Sequence, residues 1–302
     1  MLDRYDSILI GGSGFVGTQL GAYLARTGER VLNVSRRPPA EPVAGVDFVP
    51  IDFENQEAVA SFTLPHADSI IILIGQIGSG FDPESDRRAL RTIIDLVNAQ
   101  TELMKVLYSS TTLVYGNSDT PAEESDPLQA IEPYAKHKAE NEDFLKKHLS
   151  SRHHLGILRM SNIFGDTRSR GFVSLIMNRL LVSSTEKFRV NGDGNQERDY
   201  IYIDDLAEAI ASVKARLAGN DTVNIATGES RTLVSVLGTV QSVCSEKLAF
   251  EVTHEPVLEA TRIRVSNMRL REKYGYVPRH TFAEGVALMW KHSRAIKMNH
   301  PS

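Results

Sequence analysis

The feature that most constrains this chain is a glycine-rich run, Gly11-Gly-Ser-Gly-Phe-Val-Gly17, set directly after the apolar stretch Ser7–Ile10. Glycines 11, 14 and 17 give the spacing G-x-x-G-x-x-G between a strand pattern and a helix pattern. Such a turn curves tightly, lets bare backbone N–H groups approach an anion, and points a helix N-terminus at it. Val16, Leu20, Tyr23 and Leu24 then recur at helical spacing, and Gly28 stands where a helix ends. Val31–Val34 is a second strand, so the turn opens a βαβ unit and predicts a bound dinucleotide, with its pyrophosphate held by Gly11, Gly14, Phe15, Val16 and Gly17.

Further strands are expected at Val46–Val49, Ser69–Ile74, Lys105–Ser109 and His154–Leu158, with a helical stripe at Leu90, Ile93, Ile94 and Val97 between them. Alternation of this kind predicts an α/β fold, a Rossmann-type doubly wound parallel sheet covered on both faces. The rhythm loosens after about residue 165. Residues 1–165 are therefore read as the dinucleotide-binding domain, completed by part of 200–228, and 166–302 as a smaller C-terminal α/β substrate lobe. Asn191–Gly194 marks a turn, Tyr200–Ile203 a short strand, and Asp204 and Asp205 a helix start. With 302 residues and 41% apolar content the chain can bury a large core. A net charge of −4 argues against nucleic acid as a partner. The lone Cys244, the lack of a long apolar run and the charged start Asp3, Arg4, Asp6 make a cytoplasmic protein with no membrane partner the expectation. The nine histidines have no metal-ligand spacing, so no metal is expected.

The end of the second strand selects among dinucleotides. An acidic residue there suits the ribose 2′-hydroxyl of NAD. This chain has Ser35, Arg36 and Arg37 instead, a hydroxyl and two guanidinium forks that suit a 2′-phosphate. NADP(H) is the preferred cofactor, with NAD(H) left open.

Tyr134 and Lys138 form Y-x-x-x-K, an i, i+4 spacing that sets both on one helical face. An ammonium beside a phenol favours the phenolate, so the expectation is a tyrosine more acidic than usual, able to exchange a proton with an alcohol oxygen. Upstream, Ser109, Ser110, Thr111 and Thr112 cluster at the C-terminal end of a central strand, where open α/β sheets bind ligands.

Taken together, these residues resemble the extended short-chain dehydrogenase/reductase superfamily, the nucleotide-sugar epimerases, dehydratases and reductases. The glycine turn, Ser109–Gly116 (S-S-x-x-x-V-Y-G), Tyr134 with Lys138, Leu158–Gly165, Asp193–Asp205 and Asn224–Gly228 match its motifs in order. The resemblance implies a nucleotide-sugar substrate. It makes Tyr134 the general acid/base, with Thr111 bonding the reacting oxygen and Lys138 lowering the tyrosine's pKa and binding the nicotinamide ribose. Asp52 falls where an aspartate meets the adenine, Asn162 near the sugar or phosphate, and Arg198 at the diphosphate. Arg262 or Arg264 could take the diphosphate as well, as could Arg168 and Arg170. By analogy two copies would pair as a homodimer through stretches near 86–100 and 134–150.

Departures from the family narrow the chemistry. Dehydratases carry an Asp-Glu pair where this chain has Thr112 and Leu113, and 3,5-epimerising relatives use a cysteine that Cys244 is too distant to replace. A 4-epimerase keeps tightly bound NAD, whereas Arg36 and Arg37 suit exchange of free NADPH. The expected activity is reduction of a 4-keto (deoxy)sugar nucleotide. The alternatives are a 4-epimerase and a non-catalytic NADP-binding regulator.

Overall fold

A computed structural model describes residues 4–75, 82–167, 169, 171–182 and 186–299. The chain runs β1 (Tyr5–Ile10), α1 (Phe15–Arg26), β2 (Val31–Ser35), β3 (Val46–Pro50), α2 (Gln56–Ala60), β4 (Ala67–Ile72), α3 (Pro83–Asn98) and β5 (Lys105–Thr111). A 3₁₀ turn at Thr112–Tyr115 precedes α4 (Pro133–His148), β6 (His154–Met160), β7 (Asn162–Phe164), α5 (Phe172–Leu181) and β8 (Phe188–Val190). Then come β9 (Glu197–Tyr202), α6 (Ile203–Arg216), β10 (Asp221–Ile225), β11 (Ser230–Thr232), α7 (Leu233–Cys244), β12 (Phe250–Val252), α8 (Met268–Glu272) and α9 (Phe282–Asn299).

Seven strands pair in the order β3-β2-β1-β4-β5-β6-β10, all parallel. The order reverses between β1 and β4, the switch point at which such sheets open a crevice. Parallel strands buried on both faces need apolar side chains throughout, and Ile8, Leu9, Ile10, Ile70, Ile71 and Ile72 are almost wholly buried. One face packs against α3 and α4 through Leu90, Ile94, Val97 and Leu145. The other packs against α1 and α6 through Leu20, Leu24, Leu206 and Ile210. Gly28, at φ +93°, ends α1 as its position predicts. At the start of α6, Asp205 is buried and accepts hydrogen bonds from the Tyr276 hydroxyl and from Arg279 N and His280 N.

Beyond the sheet edge lie a three-stranded sheet, β11-β9-β7, and the pair β12-β8. With α5, α7 and α9 they close a separate apolar core around Ile176, Met177, Leu237, Val240 and Val286. The segment around 260–266 stitches this lobe to the loop after β5. Ser118 N donates to Arg262 O and Ala122 N to Arg264 O, while Ser266 N donates to Ala122 O. On its other side Glu197 N donates to Thr261 O and Ile263 N to Glu197 O. The outward positions of α3 and α4 are charged: Glu84, Arg88, Arg91 and Asp95 on one, Lys136, Glu140, Asp143 and Lys147 on the other. Pairing of two copies through these helices would therefore bring charged faces together. No helix of the described residues is long and apolar enough to cross a membrane.

Candidate active site

The glycine turn is built for close backbone approach. Gly11 has φ +80°, and a β-carbon on it would lie 3.3 Å from the Leu73 carbonyl. A β-carbon on Gly17 would fall 2.4 Å from Gly12 Cα, so α1 can rest on the turn only if residue 17 has no side chain. Gly14, the N-cap of α1, offers no side chain to its first N–H groups, and no acidic residue lies in that turn. The N–H groups of Phe15, Val16 and Gly17 are left for an anion such as a diphosphate. The residues present fit a dinucleotide.

At the end of β2 the three predicted residues divide. Ser35 is buried and donates its hydroxyl to Asn33 Oδ1 at 2.7 Å, while accepting from Ser13 N. Its oxygen thus ties the glycine turn to β2 through Ser13 N, while its hydrogen stays within the strand on Asn33. Arg36 and Arg37 are exposed, and neither guanidinium has a hydrogen-bond or ion-pair partner among the described residues. Asp52, half-buried beyond β3, accepts from Glu54 N through Oδ1.

Tyr134 and Lys138 occupy the first turns of α4, which Pro133 starts. Lys138 is 2% exposed and donates to Ile74 O at 2.9 Å and Ser109 O at 2.8 Å. Its Nζ lies 4.6 Å from the centre of the Tyr108 ring and 5.9 Å from that of Tyr134. Burial lowers the Lys138 pKa to about 8, against the opposing charges of Asp86 and Glu142. The acidic phenol expected from sequence is reversed here. Burial, aided by the Asp86 charge, pushes Tyr134 well above the ordinary tyrosine value, so the phenol is kept neutral and proton-bearing. Lys138 is not among the groups that set this value in the free site: its Nζ lies 5.9 Å from the ring centre and is turned to two carbonyls. Thr111 ends β5, is 8% exposed, and accepts from Leu113 N, which leaves its own O–H to donate.

A buried polar chain fixes α4 against the sheet. Ser110 Oγ donates to Glu142 Oε1, and Arg159 on β6 grips the same carboxylate with two bonds at 3.1 and 2.7 Å. Arg159 also donates to the Tyr115 hydroxyl, which donates on to Asn224 Oδ1 on β10. Removing Arg159 or Glu142 would leave the other's charge buried and unpaired.

Across the crevice, Arg198 on β9 is 7% exposed and meets Glu259 at 3.5 Å. It does not pair with Asp199, whose carboxylate accepts from Thr227, Gly228 and Glu229. Asn162 is paired with Tyr200 across β7 and β9. Burial pushes the Tyr200 phenol up to about 12, and its hydroxyl, near the Asn162 side chain, makes no hydrogen bond of good geometry among the described residues. Arg264 is committed to Glu197 by a two-bond pair at 2.6 and 2.8 Å, and Arg262 to Asp119. Either would have to leave a carboxylate to bind a diphosphate. Arg168 and Arg170 lie outside the described residues. Cys244 is buried beside Met177, its thiol pushed up to about 12 by burial, which removes it as a nucleophile.

A family model, the NAD dependent epimerase/dehydratase family, matches residues 7–226. The chain belongs to this family. Its members are NAD(P)-dependent enzymes acting on sugar nucleotides, and this chain is an enzyme of that kind. Among its relatives, dTDP-6-deoxy-L-talose 4-dehydrogenase (NAD(P)(+)) of Kitasatospora kifunensis is 26% identical over 307 residues, covering 93% of both chains. The dTDP-4-dehydro-6-deoxyglucose reductase of Escherichia coli is 26% identical over 316 residues, covering 96% of this chain and 98% of that one. The solved UDP-glucose 4-epimerase of Thermus thermophilus, in complex with NAD, superimposes with a TM-score of 0.83 at 23% identity. It covers 97% of this chain and 99% of that chain, a likeness of fold.

Three residues beside the family's tyrosine and lysine carried no sequence signal. Asp86 is one of several acids early in α3, and His137 one of nine scattered histidines. Gly75 follows β4 without a turn motif. His137 is Lys138's neighbour in the chain, but only the fold brings Asp86 and Gly75 to them.

Proposed function

We propose that this enzyme reduces the keto group of a 4-keto (deoxy)sugar nucleotide with NADPH. One observation carries the choice: Arg36 and Arg37 stand exposed and without a protein partner among the described residues at the end of β2, where an acidic residue would serve NAD. Two guanidinium forks there match a 2′-phosphate. Discrimination for NADPH suits a reductase that exchanges its cofactor each turnover. The relatives named as a 4-dehydrogenase using NAD(P)(+) and as a 4-keto-sugar reductase support this reading.

Gly11, Gly14, Phe15, Val16 and Gly17 would hold the diphosphate, Asp52 the adenine end, and Lys138 the nicotinamide ribose. When bound there, the cofactor supplies the hydride. The chain's own residues handle the oxygen. Tyr134, kept neutral by burial, donates its proton to the substrate oxygen as negative charge grows on it. Thr111 donates a second hydrogen bond to that oxygen and lowers the cost of the charge. The Lys138 ammonium, anchored through two N–H groups, retains a third for the ribose and stabilises the phenolate that Tyr134 becomes. Asn162 would meet the sugar and Arg198 the diphosphate, released from Glu259.

The competing reading is a 4-epimerase with tightly bound NAD, favoured by the likeness to an NAD-bound epimerase. Purified protein incubated with NADPH or NADH and a panel of 4-keto-sugar nucleotides separates them. The expected result is net NADPH oxidation matched to carbonyl consumed, with Tyr134→Phe lowering kcat at least about 100-fold while NADPH affinity stays close to wild type. Sugar interconversion without net oxidation, with cofactor co-purifying, would establish the epimerase instead. Binding of NADPH with no turnover of any substrate, before or after Tyr134→Phe, would leave only a regulator.

A further inference from the structure

Lys138 is a buried cation whose immediate neighbours do not balance it. No carboxylate lies within 4 Å of Nζ among the described residues; its direct partners are the carbonyls of Ile74 and Ser109. The groups that face it are the rings of Tyr108 on β5 and Tyr134 on α4, and the carboxylates of Glu142 on α4 and Asp86 on α3. Glu142 is already balanced by the two-bond grip of Arg159. That leaves Asp86.

The Asp86 carboxylate is only 10% exposed and is held from α4. His137 Nε2 lies 2.7 Å from Oδ2, and Asn141 Nδ2 donates to the same oxygen at 3.1 Å. Asn141 also donates to the Tyr108 hydroxyl, tying the carboxylate's position to β5. The other oxygen faces the space above Gly75. A β-carbon at residue 75 would lie 2.8 Å from Lys138 Nζ and 3.9 Å from Asp86 Oδ1, so ammonium and carboxylate look at one another across a glycine. Gly75 has φ +129°, a conformation that glycine adopts without strain.

We propose that Asp86 is a positioning residue, a counter-ion fixed by His137 and Asn141 that keeps Lys138 an ammonium inside the buried site. The importance of that charge for turnover rests on the reading of Tyr134 and Lys138 given above. The physical need is independent of it, because an ammonium taken out of water sheds its proton unless an opposite charge stands near. Burial lowers Lys138 to about 8, with Asp86 the larger of the two charges acting against it. Burial alone would raise the Asp86 carboxyl, but the hydrogen bond with His137 and then the Lys138 charge hold it below its ordinary range.

The test is the titration of Lys138 itself, followed by NMR in full-length protein carrying lysine isotopically labelled at Cε. The resonance is assigned by its loss in Lys138→Met. In Asp86→Asn, which keeps size and hydrogen bonds but removes the charge, the midpoint is expected to fall by about one pH unit or more. Asp86→Ser serves the same purpose if the amide is not accommodated, and Asp86→Glu should bring the midpoint back toward wild type. His137→Gln retains an N–H for Asp86 and should leave the midpoint close to wild type. An unmoved midpoint in both charge-removing variants would overturn the proposal. So would a His137→Gln midpoint displaced as far as that of Asp86→Asn, which would mean lost packing and not lost charge. No substrate is needed. A midpoint that moves as expected in a protein that reduces no keto sugar leaves the counter-ion standing and removes the reductase; an unmoved midpoint in an active reductase does the reverse.

Discussion

Replacing Lys138 by methionine should abolish turnover and, at neutral pH, make the protein more stable. Lys138 titrates at about 8 when folded, against 10.5 for a solvated lysine. At about 1.36 kcal/mol per pH unit, the buried ammonium costs roughly 3 kcal/mol of folding free energy near pH 7. The sign follows from proton counts: the unfolded chain holds its proton up to 10.5 while the folded chain releases it near 8. Between those values the unfolded state binds more protons, so this residue's contribution to stability rises with pH. Methionine removes the charge but leaves the carbonyls of Ile74 and Ser109 without a donor, returning roughly 1 kcal/mol each. The net expectation is a gain of about 1 kcal/mol near pH 7 that vanishes or reverses near pH 9.5. Urea unfolding of both proteins at the two pH values, followed by far-UV circular dichroism, measures it. Other titrating groups largely cancel between variant and wild type, so the decisive quantity is a change of about 2 kcal/mol in their difference between the two pH values. A stability difference that is the same at both would refute the argument that the folded protein keeps a desolvated ammonium here.

Arg36→Ala is expected to raise KM for NADPH about 10-fold or more while leaving KM for NADH nearly unchanged, as steady-state kinetics with both cofactors would register. Gly75→Ala places a β-carbon 2.8 Å from Lys138 Nζ, at a φ unfavourable to alanine. It should lower kcat at least about 10-fold while the fold, read by circular dichroism, survives. Glu142→Gln leaves the Arg159 guanidinium buried beside a neutral amide and should cost about 3–5 kcal/mol in urea unfolding.

The fold was readable from the chain because its signals are local. The glycine turn, the unbroken apolar run at Ile70–Ile72 and the Asp204–Asp205 helix start each depend on residues close together, and each occupies the element it implies. Tyr134 and Lys138 were found the same way, one helical turn apart. What escaped was their environment. The protonation of Tyr134 is decided by burial and by Asp86, a residue 48 positions earlier whose approach only the packing of α3 on α4 creates. Sequence suggested that the ammonium would govern the phenol, because spacing reveals a neighbour and says nothing of lost water. Ser35 shows the same limit: Asn33, two residues before it on the strand, takes the hydrogen of its hydroxyl, a contact that residue type alone does not reveal. Arg264, offered with Arg262 for the diphosphate, has Glu197 of β9 beside it, a partner that spacing along the chain does not reveal.

The segment at 260–266 has a mechanical consequence. It is laced by backbone hydrogen bonds to the loop beyond β5 on one side and to β9 on the other. A clamshell opening of the small lobe would rupture that lacing before it admitted any substrate. Arg198 and Glu259, by contrast, can part without breaking any backbone bond, so adjustment there falls to side chains on a fixed frame.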